Sequence, residues 1–261
     1  MGLTVNTNLE AMDAARNLNS TENMLSTSMQ RLSSGLRINS AADDVAGYAI
    51  SQRLQGQVNG LNQATQNIAD AVSLAQTGQG ALSDVVEMLQ RVRELAVQYA
   101  NGTTSETDKE AIEAETTQLK EEIKRVGETT TFNGVKLLSG GAEITFQVGA
   151  NEKETVAVKT IELEKAVEAA SVKEIKTIDE ALDKVTKAAG EFGSVQNRIQ
   201  YTQANLEVYS QNLSSAVSGI VDVNMATEMT NFTKEQVLQQ AGVAILAQAN
   251  HLPDAVLKLL E

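Results

Sequence analysis

The chain has 261 residues, a formal net charge of −13, one Pro, no Cys and an aromatic content of 3%. This acidic charge, with no basic patch, excludes binding to nucleic acid by phosphate neutralisation and disfavours docking on anionic lipid. The absence of Cys excludes disulfides and thiolate metal sites, and so few aromatic residues argue against a large sheet-based enzyme core. The composition favours long helices, and no apolar run approaches the ~18 residues that would predict a membrane span.

The first 42 residues are predicted to form an amphipathic helix. Its large apolar residues follow the alternating steps of a heptad. They are Leu18, Leu25, Met29, Leu32 and Leu36. This stripe has no partner within the helix itself, so it must be covered by another element of the chain or by another copy.

The strongest pattern in the sequence is a heptad that predicts one helix from about Asp43 to Tyr99, roughly 85 Å long. Mostly apolar residues recur in steps of four and three at positions 54, 58, 61, 65, 68, 72, 75, 79, 82, 86 and 89. Ser40 is predicted to cap this helix, with Asp43 in the capping-box position. Asn101-Gly102 is predicted to end it with a left-handed cap.

The segment after this helix is predicted to hold a second helix and a small β-hairpin. Ser105 is the expected N-cap, with Asp108 three residues on, and the helix runs to Gly127. Alternating residues at 144–148 and 155–158 then predict two strands joined by a turn. We expect this hairpin to lie on the helices, since an isolated hairpin is marginally stable in water.

From Ile178 to about Gly219 the pattern again predicts a helix, and residues 221–261 form a second amphipathic end. Two interpretations of the chain ends stay open. The ends pair with each other within one chain, or both need neighbouring copies. A two-helix pair would leave much of each apolar stripe uncovered, which favours the second interpretation.

Catalytic chemistry has little support in the sequence. The chain has one His, His251, and lacks both HExxH and the glycine-rich phosphate-binding motifs. The acidic pair Asp43-Asp44 is better explained by the helix dipole than by a metal site. We therefore expect no enzyme activity, no catalytic or metal-ligating residues and no cofactor.

Six stretches of the sequence resemble motifs of the bacterial flagellins, in the same order and over nearly the whole chain. They are RLSSGLRINSAADD at 31–44 followed by Ala46-Gly47, LQRVRELAVQ at 89–98, TFNGVKLL at 131–138, FQVGA at 146–150, DVNMATEM at 222–229 and PDAVLKLL at 253–260.

The resemblance implies a mainly α fold, a long antiparallel coiled-coil bundle with a small β-hairpin region and with paired N- and C-terminal helices. Residues 1–42 and 221–261 would form the inner filament-core domain. Residues 43–177 and 178–220 would form the outer core domain. Only residues 140–177 could hold an insertion, which is too short for the large outer domains of many flagellins.

The resemblance also implies a function: a subunit that polymerises with itself into the bacterial flagellar filament for swimming. Such subunits leave the cell through the type III export channel without a cleaved signal peptide and become extracellular. An export chaperone, a cap and hook-junction proteins are the implied partners. Polymerisation would use the N-terminal stripe together with C-terminal residues that match the family pattern, Val256, Leu257, Leu259 and Leu260.

A further implied partner is the vertebrate receptor Toll-like receptor 5. By resemblance its recognition surface includes Arg91, Leu95 and Glu115. The alternative is that Arg91 and Glu115 make ordinary polar contacts between helices or subunits, and both readings can hold.

Two competing functions remain at this point. The junction protein between hook and filament shares the terminal helices of the family, but the complete hairpin and core motifs argue against it. An enzyme carried on a flagellin-like rod would need a constellation of titratable groups, for which the sequence offers no candidate.

Overall fold

The computed structural model describes residues 7–140 and 143–260, with side chains described in these ranges as far as residue 251. Within them the fold is mainly α, with two small antiparallel strand pairs, which confirms the predicted fold class. The elements in chain order are α1 Leu9–Ser34, α2 Val45–Tyr99, α3 Glu106–Thr129, β1 Thr131–Phe132, β2 Val135–Lys136, β3 Glu143–Gln147, β4 Thr155–Lys159, α4 Leu163–Val167, α5 Ile175–Val221 and α6 Met225–Leu260. None of the described helices combines the length and apolarity needed to cross a membrane.

The chain divides into two compact units. The terminal unit comprises residues 1–55 and 213–261, and the central unit comprises residues 56–212. The boundaries therefore fall inside α2 and α5. The sequence-based division placed them nearby, at 42/43 and 220/221.

In the terminal unit α1 and α6 pack against each other in antiparallel orientation. Asn8 Nδ2 donates a hydrogen bond to the carbonyl of Ala249 at 2.7 Å, and at the other end Arg31 Nη1 lies 4.0 Å from Glu228 Oε1. The N- and C-terminal helices thus pair within one chain, which was the first of the two interpretations of the chain ends.

A left-handed glycine turns the chain at the end of α1. Gly35 has φ 72° and donates its N–H to the carbonyl of Arg31 at 2.9 Å. The following residues then pair with the end of α5. Arg37 N–H donates to the carbonyl of Val221 at 2.6 Å, and Val223 N–H donates back to the carbonyl of Gly35 at 3.0 Å.

The start of α2 differs from the prediction. Ser40 is not its cap; Asp44 is, because Asp44 Oδ1 accepts from Gly47 N–H at 2.9 Å. Asp43 instead closes a turn before the helix, where its carboxylate accepts from Ser40 N–H at 2.9 Å. This hydrogen bond is the first cause of a lowered pKa at Asp43, followed by the Ser40 hydroxyl.

The end of α2 also differs from the prediction. The helix ends at Tyr99, as expected, but Gly102 is not among the described residues with positive φ, so the expected left-handed cap was wrong. A side chain satisfies the end of the helix instead. The Thr104 hydroxyl donates to the carbonyl of Gln98 at 2.9 Å, so a free carbonyl at the helix end is satisfied without a backbone reversal.

The central unit buries the predicted heptad of α2. Every seventh residue from Leu61 to Leu89 is at most 1% exposed. The core that contains much of this stripe also takes residues from α3, the strands, α4 and α5. Its fully buried large members include Leu82, Leu89, Ile123, Leu137, Leu138, Leu163, Ile178 and Phe192.

Ser105 and Asp108 form the predicted capping box of α3. Asp108 N–H donates to the Ser105 hydroxyl at 3.2 Å, and Ser105 N–H donates back to the Asp108 carboxylate at 3.2 Å. The predicted hairpin is also present, as β3 and β4 with Ile144 opposite Val158. It lies on α2, where Asn67 Nδ2 donates to the carbonyl of Gln147 at 3.0 Å.

The turn of this hairpin is organised by one carboxylate. Glu154 accepts from the N–H and from the side-chain amide of Asn151, both at 3.0 Å, and Val148 N–H donates to the carbonyl of Glu154 at 2.8 Å. Gly149 is required beside it, since a Cβ there would collide with the Glu154 carboxylate.

Gly78→Ala is expected to lower the free energy of unfolding by about 1 kcal/mol. A Cβ at Gly78 would lie 2.8 Å from the ring of Phe192, which is 1% exposed and has no room to move. Overpacking costs about 1–3 kcal/mol, more than the ~1 kcal/mol that Ala gains over Gly in a helix. Gly80→Ala is the control: with nothing within 4 Å of its Cβ, it should raise stability by up to about 1 kcal/mol. Urea unfolding followed by circular dichroism measures both, and shifts of the same sign would contradict the packing argument.

The carboxylate of Glu154 is expected to titrate below its usual pKa of 4.5, because the Asn151 side chain and then its N–H donate to the charged form. A lowered folded-state pKa means that the turn contact is fully present above about pH 4.5 and is lost as the pH falls through the folded-state pKa. The Asn151 amide resonances, followed by NMR from pH 7 to pH 2, should therefore move with a midpoint below 4.5. In Glu154→Gln this movement should disappear. A midpoint at or above 4.5 would argue against the hydrogen bonds.

Candidate functional site

The seam between α1 and α6 is built from small and polar residues. In α1 the buried positions are Ala14, Thr21 and Ser28, seven residues apart. In α6 the buried Ala249 and the half-buried Gly242 lie on the facing side. Such residues let the two helices approach closely, and the Leu18 side chain lies 3.2 Å from the place where a Cβ on Gly242 would be.

Charged groups at the seam are incompletely paired. The Glu228 side chain is 8% exposed, and its nearest described cation, Arg31, is at 4.0 Å. Arg31 Nε and Glu235 Oε2 are buried without a hydrogen-bond partner among the described residues. A buried polar atom without a partner costs about 1–3 kcal/mol, whereas polar residues at a helix seam specify register. The seam therefore defines how α1 and α6 align more than it stabilises their contact.

Large apolar side chains of both helices face solvent instead of the seam. They are between 45% and 61% exposed, namely Leu9, Met12, Met24, Met29, Met225, Met229, Val237, Leu238, Val243 and Ile245. At 100° per residue the members from α6 lie on several sides of the helix. Exposed apolar residues of this size mark contact surfaces, and the described chain leaves those of α6 uncovered.

The predicted polymerisation residues of α1 fall into two groups. Leu18, Leu25 and Leu32, with Leu36 just beyond the helix, are half-buried. Met29 is 55% exposed. The side chains of the C-terminal candidates lie outside the described residues. They are Val256, Leu257, Leu259 and Leu260.

The small buried residues of α1 were missed by the sequence analysis, although a signal for them exists. Positions 14, 18, 21, 25, 28 and 32 form one continuous heptad pattern in steps of four and three. Only its Leu positions were recognised, because Thr21 and Ser28 do not look like core residues.

In the central unit Arg91 and Glu115 join α2 to α3. Arg91 Nε donates to Glu115 Oε1 at 3.0 Å, and Arg91 Nη1 donates to Glu94 Oε2 at 3.2 Å. The hydrogen bond to Glu115 is the first cause of a raised pKa at Arg91. Both partners are about half exposed, at 51% and 45%. The pair lines a polar cleft of about 540 Å³ that ends at the loop after α2.

Leu95, the third residue of this surface, has a different position. It is 2% exposed and belongs to the hydrophobic core. Its side chain supports the surface from beneath and offers almost no area to a partner. Within the described ranges, moreover, no group of three or more His, Cys, Asp or Glu side chains is placed to hold a metal ion.

Most of the chain matches one family of known proteins. The N-terminal helical region of bacterial flagellin matches residues 5–143, and the C-terminal helical region matches residues 175–260. The flagellin of Halalkalibacterium halodurans is 45% identical, with 98% of this chain and 99% of the relative covered. A flagellar filament 33 kDa core protein of Treponema phagedenis is 38% identical over the same shares.

Among solved structures, the crystal structure of Bacillus cereus flagellin is similar with a TM-score of 0.51 and 31% identity. It covers 58% of this chain and 94% of its own. The two family regions together span far more than half of the sequence, and their helices are the ones that carry the surfaces described above. The chain therefore belongs to the bacterial flagellin family.

Proposed function

We propose that the chain polymerises into the bacterial flagellar filament through its paired terminal helices, and so serves swimming motility. As a flagellin it is a structural protein of the filament, outside the cell. The observation that carries the proposal is the uncovered apolar surface of α1 and α6.

The physical argument rests on how this surface is distributed. The fully buried positions of α1 in the seam are small or polar, and ten large apolar side chains of α1 and α6 remain exposed and available for other copies. Large exposed apolar surface is uncommon on soluble monomers and supports a role in contacts between proteins. Because one copy meets the next through different faces, growth need not close on itself and yields a helical tube.

The same surface supports the proposed route and partners. Before assembly, an export chaperone would cover the apolar faces of α6, and the subunit would leave through the type III channel without a cleaved signal peptide. In the filament it would follow the hook-junction proteins and add beneath the cap. Residues 1–42 and 221–261 would line the inner layer, and residues 43–220 the outer core.

Ile245→Asp is expected to abolish polymerisation while leaving the isolated chain folded. Ile245 is 61% exposed, so the monomer tolerates the change, but a carboxylate buried between subunits without a partner costs several kcal/mol. Because each 1.4 kcal/mol is about tenfold, the critical concentration for growth should rise more than about 100-fold. Sedimentation and negative-stain electron microscopy of monomer mixed with short seeds under precipitant measure it.

Ile245→Leu is the matched control and should grow like the parent. Growth of Ile245→Asp at the parent's concentration would contradict the role of this face. A parent that stays monomeric with good seeds would favour the hook–filament junction protein instead. Chains lacking residues 1–40 or 221–261 should also fail to grow.

We also propose that Toll-like receptor 5 recognises the central unit at the surface around Arg91 and Glu115. Two half-exposed charged side chains, fixed to each other across two helices, present a preorganised polar contact. Arg is enriched among residues that dominate binding energy. Leu95 would act from beneath, by holding α2 in place.

Arg91→Ala is expected to weaken receptor activation at least about tenfold, as for a binding hot spot. The free energy of unfolding should stay close to that of the parent, since exposed ion pairs contribute little. Arg125→Ala is the control, because Arg125 also makes an exposed ion pair, with Glu122, but outside this surface. Reporter cells that express the receptor measure the response to monomer. Equal potency of the two variants would contradict the proposed contact.

A further inference from the structure

Asparagine is followed by glycine at three places in the sequence, Asn59-Gly60, Asn101-Gly102 and Asn133-Gly134. This dipeptide can lose ammonia without an enzyme, because glycine has no side chain to keep its backbone nitrogen away from the preceding side-chain amide. The three sites share the same chemistry but differ in the backbone around them. The structure therefore determines which of them reacts in the folded chain.

The helix α2 protects Asn59. Both Asn59 and Gly60 lie inside α2, where each backbone N–H donates to the carbonyl four residues earlier. Gly60 also lies close to the β3–β4 turn, since a Cβ on it would be 3.0 Å from the Cβ of Ala150. The Gly60 nitrogen can approach the Asn59 side chain only when this part of α2 opens, and such opening is rare in a packed unit.

A left-handed turn protects Asn133. Asn133 and Gly134 connect β1 to β2 with φ 48° and 79°, and the flanking Phe132 and Val135 lie opposite each other. In the left-handed conformation the nitrogen of the next residue lies on the far side of the Cα–C bond from Cβ. The Gly134 nitrogen must therefore leave this turn before it can approach the side-chain amide of Asn133.

Asn101 has neither restraint. Asn101 and Gly102 are exposed in the connection between α2 and α3, and neither is among the described residues with positive φ. The N–H of Gly102 and the side-chain NH₂ of Asn101 make no hydrogen bond with any residue that the structure describes. Asn101 Oδ1 accepts from Thr103 N–H at 3.4 Å, which turns the side chain towards the following backbone and stabilises negative charge that develops on this oxygen.

We propose that Asn101 is a site of spontaneous deamidation, which converts it to aspartate or isoaspartate in the folded chain. The Gly102 nitrogen loses its proton to solvent and forms a bond to Asn101 Cγ, and the Cγ–Nδ2 bond breaks as Nδ2 takes up a proton and leaves as ammonia. Water then opens the cyclic imide. Hydrolysis at Cγ gives aspartate, and hydrolysis at the main-chain carbonyl gives isoaspartate. The net reaction consumes water and releases ammonia, with no oxidant or reductant.

The product places a new negative charge in the polar cleft beside the Arg91–Glu115 pair. Asn101 lines this cleft together with Arg91, Asp108 and Glu115. Isoaspartate also adds a carbon to the main chain at a turn in which the Asn101 carbonyl accepts from Thr104 N–H at 3.2 Å. The consequence for receptor recognition rests on the proposed function: a new carboxylate competes with the partner for the Arg91 guanidinium, so modified subunits should activate the receptor less.

Peptide mass spectrometry of the incubated chain measures all three sites in one sample. In the folded chain Asn101 should convert at least about tenfold faster than Asn59 and Asn133, because the other two react only from opened states. In guanidinium chloride the three rates should come within about twofold of one another, because unfolding removes the structural differences. The rate at Asn101 should rise with pH, because the attacking nitrogen must lose its proton.

Gly102→Ala is the matched variant for ring closure. Nothing lies within 4 Å of a Cβ at this position and its φ is not left-handed, so the fold should be unaffected. The added side chain restricts the backbone and hinders approach of the nitrogen, so conversion at Asn101 should fall at least about tenfold. Circular dichroism of the variant, which should match the parent, separates this effect from a change of fold.

The outcomes separate the modification from its consequence. An Asn101 that reacts no faster than Asn59 or Asn133 in the folded chain, or a Gly102→Ala chain that reacts like the parent, overturns the modification site. Asn101→Asp reproduces the aspartate product and should weaken receptor activation about threefold or more in the reporter cells. Parent potency of this variant overturns the effect on recognition alone. Parent potency of Arg91→Ala overturns the receptor surface and leaves the deamidation rates as a separate result.

Discussion

The close approach of α1 and α6 determines which side chains of the terminal unit face outward. Ala14, Gly242 and Ala249 occupy positions where a coiled coil would normally place Leu or Ile. Besides the half-buried Leu18, Leu25 and Leu32, ten large apolar side chains of the two helices stay outside the pair and face solvent. One chain thus determines how α1 and α6 pair, yet leaves much of their apolar surface uncovered.

The central unit, in contrast, buries a long apolar heptad. Its heptad places an apolar residue in the core at every seventh position from Leu61 to Leu89, and the core extends through α3, α4 and the β-hairpin. Its exposed side chains include the Arg91–Glu115 pair between α2 and α3, and Tyr201 and Tyr209 of α5. A well-packed unit can present such side chains precisely, because their backbone positions are held by the core beneath them.

The repetitive features of this protein could be predicted from its sequence. Features that depend on which of several neighbouring residues makes a given contact could not. The α2 heptad, the Ser105–Asp108 capping box and the β3–β4 hairpin each depend on local patterns. The cap of α2 was misassigned because Ser40, Asp43 and Asp44 are all capping-type residues close together in sequence. The geometry of the turn directs Asp43 to the N–H of Ser40 and Asp44 to the N–H of Gly47. The burial of Leu95 depends on which of several adjacent stripes of α2 meets the core, and a heptad alone does not specify that choice.

The unpaired polar atoms between α1 and α6 make stability uneven along the chain. Arg31 Nε and Glu235 Oε2 lack a hydrogen-bond partner among the described residues, while the central core is closely packed with fully buried Leu and Ile side chains. Local opening draws on the least stable contacts first, so within the terminal unit we expect the seam between α1 and α6 to open before its helices unfold. Opening of this seam would expose the facing sides of α1 and α6 while leaving the core of the central unit intact.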